Sequence, residues 1–108
     1  MSKTEVYLLN NNRFTLSTIS QEMRMSHWVD TPVITNNQTQ EIILDLSNTS
    51  WHLLKWKETA FGTVMTLAKY PNLKNVQKID CNFKKMVAHI GTLEFPIMKL
   101  TEVLERYE

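Results

Sequence analysis

The sequence predicts an α+β fold in a single domain over residues 1–108, with a mixed or mainly antiparallel sheet of about five strands covered by two or three helices. Three observations carry this expectation. A short apolar run, EIILDL at 41–46, leads through the polar SNTS into the long stretch WHLLKWKETAFGTVMTLAKY, which ends at Tyr70. Alternating apolar and polar residues near 6–16 and again over 79–90 have the period of strands with one buried face. Finally, Leu93, Ile97, Leu100, Leu104 and Tyr107 fall on one stripe at helical spacing.

Val6, Leu8, Phe14 and Leu16 alternate with polar neighbours around Asn10-Asn11-Asn12, residues that tolerate the left-handed backbone of a tight turn, so a hairpin is expected. In STISQEMRMSHWVD (17–30), Leu16, Ile19 and Met23 match a helix stripe, whereas Met23, Met25, His27 and Val29 alternate as a strand would. A short helix is favoured, capped by Ser17 or Ser20. Asp30-Thr31-Pro32 reads as a turn, because the residue before proline is pushed out of helical geometry. ITNNQTQ (34–40) reads as a loop or a second hairpin tip.

The run at 41–46 is too continuously apolar for a half-exposed strand and is placed centrally in the sheet. Ser47, Asn48, Thr49 and Ser50 offer N-caps for a helix that Pro71 would stop. Wound as a helix, that segment collects Leu53, Leu54, Ala60, Phe61, Val64, Met65, Leu67 and Ala68 on one face, with His52, Lys55, Thr59, Gly62, Thr66 and Lys69 opposite. Ile79, Cys81 and Phe83 then alternate as a strand, residues 86–90 form its neighbour, and Gly91 ends it. Thr92 caps the last expected helix, with Pro96 in its first turn, where no intrahelical donor is lost.

Composition narrows the function classes. With 43% hydrophobic and 21% charged residues the chain has an ordinary globular balance. A formal charge of +1 gives no net footprint for nucleic acid or an anionic membrane, and Lys55, Lys57, Lys69, Lys74, Lys78, Lys84 and Lys85 are scattered among carboxylates, so neither partner is expected. Apolar runs of only a few residues exclude a transmembrane helix, which needs about 20. The single cysteine, Cys81, cannot pair internally, and with no apolar signal segment near residue 1 a cytoplasmic location is expected. Its alternation with Ile79 and Phe83 predicts a buried, inert thiol.

No catalytic constellation is legible. There is no Walker loop, Gly-x-Gly-x-x-Gly or Gly-x-Ser-x-Gly, and no Cys-x-x-Cys. His27, His52, His89 and Cys81 lie at no helical metal-ligand spacing, so no metal and no cofactor are expected. The histidines are candidate acids or bases only if the fold brings two of them into one cleft.

The aromatic and charged departures from the amphipathic pattern are more informative. On the expected helix Trp51 falls on the polar face, Trp56 at the margin and Lys57 inside the apolar arc, with Lys55 and Glu58 beside them. Surface tryptophans are typical interface anchors, being large, rigid side chains that bury much area at modest entropic cost. On the last expected helix Phe95 and Met98 sit off the stripe. Trp51, Trp56, Lys57, Glu58, Lys55, Phe95 and Met98 are therefore the expected partner-binding residues.

EIILDLSNTSW followed by an expected helix resembles the central strand–loop–helix of STAS regulatory domains, where a similar Asp-Leu-Ser stretch leads into a helix. That family's phosphorylatable serine and its Asp-Ser-x-Gly signature have no counterpart, His52-Leu53-Leu54 standing in that region. In general character the chain resembles the small cytoplasmic immunity proteins of bacterial toxin–immunity pairs, including those of contact-dependent inhibition systems. It shares one compact domain, Asn- and Thr-rich loops and spare aromatics. That resemblance implies a non-enzymatic protein that neutralises a toxin domain by stoichiometric binding. A STAS-like regulatory module is the alternative reading, and a small histidine-dependent hydrolase a third.

Overall fold

The computed structural model describes residues 4–23, 28–47, 49–71 and 73–107. Among them the chain forms nine strands and one short helix: β1 (Thr4–Leu9), β2 (Phe14–Glu22), β3 (Trp28–Asn36), β4 (Glu41–Asp45), β5 (Trp51–Thr59), β6 (Gly62–Lys69), β7 (Val76–Asn82), β8 (Val87–Ile90), β9 (Leu93–Pro96), a single 3-10 turn (Ile97–Lys99) and α1 (Leu100–Glu105). Two antiparallel meanders result, β1-β2-β3-β4 and β5-β6-β7-β8-β9. The α+β expectation is thereby overturned, because the protein is mostly β with one six-residue helix.

The largest correction concerns 51–70, which is the β5–β6 hairpin and not a helix. Its physical cause is a bulge. Leu53 pairs with Leu67 and Lys55 with Thr66, so Leu54 is an extra, unpaired residue. Trp51 and Leu53 face the core before the bulge, and Trp56, opposite the buried Met65, points the same way after it. The inward series Trp51, Leu53, Trp56 thus advances by two and then by three. A three-residue step is what helical periodicity looks like in sequence. The turn is only Ala60-Phe61, between Thr59 and Gly62, and carries none of the Asn-Gly or Asp-Gly chemistry that marks a two-residue hairpin.

Other elements depart from expectation for equally local reasons. The short helix placed within 17–30 gives way to β2, which runs to Glu22, and to β3, which starts at Trp28; residues 24–27, His27 included, lie outside the described residues. The sequence of β2, with Phe14 and the β-branched Thr15, Thr18 and Ile19, suits a pleated surface better than a helix. Pro32 sits within β3, at the point where β4 stops pairing: the last ladder pair is Val33 with Asp45, and the Pro32 carbonyl accepts from Leu46 N–H at 3.0 Å. A proline there withholds no needed donor. The expected last helix begins as a strand, β9, and only residues 100–105 are α-helical. The 6–16 hairpin and the 79–90 pair stand as expected, and Asn10, Asn11 and Asn12 all have positive φ.

Both sheets contribute to one apolar core. Leu16, Ile34 and Leu44 form a cross-strand row in the first sheet. Met65 with Ile79, and Cys81 with Ala88 and Phe95, form rows in the second. Leu100, Val103 and Leu104 of α1 are buried, and α1 packs against β4. The outer face of the first sheet leaves Val6, Leu8 and Ile42 exposed. No helix among the described residues is long and apolar enough to cross a membrane.

Candidate functional site

β5 is an edge strand of its sheet. Beyond its bulge, alternate side chains go to opposite faces, so Lys55 and Lys57 project from the outer face while Trp56 turns toward the first sheet. Trp56 is only partly buried. Its ring packs on Tyr7 of β1, with centroids 4.9 Å apart at 50°, a tilted geometry that favours the edge–face contacts of aromatic pairs.

Two clefts flank this tryptophan. One, of about 330 Å³, lies between β1–β3 and β5 and is lined by Glu5, Tyr7, Thr18, Asp30, Leu54, Lys55 and Trp56 among others. Within it the Tyr7 hydroxyl donates to the Glu5 carboxylate. That hydrogen bond, followed by burial and the charges of Glu5 and Asp30, raises the phenol above its ordinary value. Asp30 accepts from the Ser20 hydroxyl.

The second cleft, of about 340 Å³, opens on the outer face and is lined by Lys55, Trp56, Lys57, Thr59, Val64, Thr66 and Lys78. Its lysines meet because Lys55, Thr66 and Lys78 are cross-strand neighbours on β5, β6 and β7, and Lys57 with Val64 forms the next outward pair. Three lysines therefore line one cleft on an open sheet face, with Trp56 at its border and the exposed Asp80 opposite Val64 on the same face. This is a preformed positive surface with an anchor at its border.

The expected site residues separate into two groups. Lys55, Trp56 and Lys57 come together, and Glu58 adjoins them, its carboxylate accepting from Asn10 N–H at 3.2 Å. Trp51 does not belong with them: it is 1% exposed, with Lys69 Nζ 5.4 Å above its ring, and its Nε1 has no partner among the described residues. Phe95 is 7% exposed and lies in the core row with Cys81 and Ala88, and Met98, 63% exposed, sits on the 3-10 turn after β9, four strands away from β5. Sequence reasoning missed Lys78 and Tyr7. Lys78 is one of seven lysines whose convergence depends on strand register, and Tyr7 is separated from Trp56 by most of the first sheet.

The two described histidines, His52 and His89, are not brought together. His52 Nδ1 accepts from Asp30 N–H at 2.9 Å, which makes it a brace between β3 and β5. His89 Nε2 lies 2.8 Å from the Glu94 carboxylate. With β6 and β7 between their strands, these two residues are three strand spacings apart across the sheet, roughly 14 Å, and by register four residues apart along it, roughly 13 Å more in that direction. No group of three or more potential metal ligands occurs among the described residues. The segment that resembled the STAS strand–loop–helix is a strand, a loop and a bulged hairpin.

Comparison with family models, with curated proteins and with solved structures yields no match to this chain.

Proposed function

We propose that this protein is a stoichiometric binding module of the immunity type, which neutralises a partner enzyme by seating its β5 surface on an acidic face of that enzyme. The observation that carries this reading is that Lys55, Lys57 and Lys78 line one cleft on an open sheet face, with Trp56 at its border. Charge complementarity across such a surface steers encounter and sets register, while a half-buried tryptophan supplies the anchoring area. A protein face suits this surface better than a nucleic acid backbone does, since the lysines are compact on one patch and the chain as a whole carries only +1. Action in the cytoplasm fits a lone cysteine held reduced and buried in the core.

The test is co-expression with a toxin domain encoded next to the gene, followed by titration calorimetry. A single-site complex that Lys55→Glu with Lys57→Glu weakens by roughly a hundredfold, at unchanged melting temperature, supports the reading. Absence of a complex, a complex indifferent to the charge reversal, or stronger binding to nucleic acid than to the toxin domain overturns it.

A further inference from the structure

Three turns meet at one end of the molecule: 10–13 between β1 and β2, 60–61 between β5 and β6, and 83–86 between β7 and β8. Between them lies the largest of the described clefts, about 400 Å³, lined by Asn10, Arg13, Phe14, Phe61, Phe83 and Lys84 together with Ala60. That volume falls within the roughly 300–1,000 Å³ of small-molecule sites, and the lining, three phenylalanines and an alanine with three polar or charged residues, matches them in character.

The cleft is held in shape by bonds between the turns. Phe83 N–H donates to the Phe61 carbonyl at 2.7 Å, and Asn10 Nδ2 donates to the Thr59 carbonyl at 3.1 Å. Asn10, Asn11 and Asn12 hold three successive left-handed conformations that carry the chain to Arg13. Phe14 and Phe83 stack with centroids 4.2 Å apart and planes at 25°; Phe83 is buried in the core, so Phe14 offers most of this apolar wall to the cleft. Phe61, 53% exposed at its turn, stands with Lys84 Nζ 5.0 Å from its ring centroid. The charged side chains lining the cleft are Arg13 and Lys84, both cationic, and no described acidic residue lines it.

We infer that this cleft binds a small organic anion, a flat apolar body bearing one carboxylate, sulfonate or phosphate. The body rests against Phe14, Phe61 and Phe83, and the anionic group is held by the Arg13 guanidinium and the Lys84 ammonium. The site adjoins the β5 surface, since Asn10 bonds to Glu58 and Thr59, but it does not rest on the protein-binding reading.

Anilinonaphthalene sulfonate is the probe. Titrated into the protein, it is expected to saturate a single site with rising fluorescence, and amide resonances of Asn10, Phe61 and Lys84 are expected to shift. Arg13→Gln with Lys84→Gln weakens binding by roughly tenfold or more, as does replacing the probe by neutral phenylnaphthylamine, whereas Lys55→Gln with Lys57→Gln leaves it unchanged. Non-saturable binding, shifts centred on Val6, Leu8 and Ile42, or equal affinity in the Arg13/Lys84 variant overturns the inference.

Discussion

Gly62 and Cys81 stand so close across β6 and β7 that a Cβ on Gly62 would lie 1.9 Å from the Cys81 carbonyl oxygen. The obstacle is backbone within a ladder, so no side chain can move aside to make room. Gly62→Ala is expected to destabilise the protein by about 2–3 kcal/mol, or to force the β5–β6 turn out of register. Urea unfolding of the variant checks this; an unchanged midpoint would refute the close approach.

Leu54 invites the opposite experiment. It is the unpaired residue of the β5 bulge and is 47% exposed, so its deletion joins Leu53 to Lys55 and leaves every ladder pair with its present partner. Deleting Leu54 is expected to lower stability by only about 1 kcal/mol. Deleting Met65 from the facing strand shifts the register by one and turns core side chains outward, so that variant is expected not to fold. Circular dichroism of the two deletions separates the cases.

The two tryptophans of β5 are expected to behave as different classes of residue. Trp51→Ala opens a cavity between the sheets and should cost about 3–5 kcal/mol. Trp56→Ala, losing a partly buried ring and its contact with Tyr7, should cost about 1–2 kcal/mol. Thermal melts rank them, and equal losses would mean that Trp56 is as fully packed as Trp51.

Burial, with a smaller contribution from the Asp80 charge, pushes the Cys81 thiol from 9.0 up to about 12. Below pH 9 the thiol is protonated in folded and unfolded chains alike. Between pH 9 and about 12 the unfolded chain releases the proton and the folded chain keeps it, so stability falls as pH rises through that window. Relative to Cys81→Ala, the native protein should lose stability there with a slope on the order of 1 kcal/mol per pH unit. Parallel stability–pH curves for the two would contradict it. At pH 8 the folded thiol should also resist Ellman's reagent until denaturant is added.

What could be read from the sequence depended on whether periodicity stayed local and unbroken. The Asn10–Asn12 hairpin was legible because its alternation is regular and its turn residues tolerate positive φ, and the pair at 79–90 because its alternation is regular. β5 and β6 were not, because one extra residue at Leu54 converts a step of two into a step of three, and Ala60-Phe61 gives no turn signal. β3 was hidden by Pro32, which marks a break in most contexts and here sits where the neighbouring strand has already ended. At the candidate site, Trp56 and Lys57 were singled out as departures from the pattern of a helix, with Lys55 beside them, but that helix is the β5–β6 hairpin, so their grouping follows from strand register. Lys78, Tyr7 and the end cleft were not, since they reach their neighbours only through register and through the packing of one sheet on the other.

Every hydrogen-bonded strand pair in the two meanders joins neighbours in sequence. Each ladder can therefore zip from its own turn, closing a short loop with a small entropic penalty, before any distant part of the chain is in place. The long-range problem is concentrated at one step, the docking of the first four strands on the last five about the connection between Asp45 and Trp51. The speed of folding is thus set chiefly by the search of two preassembled faces for each other.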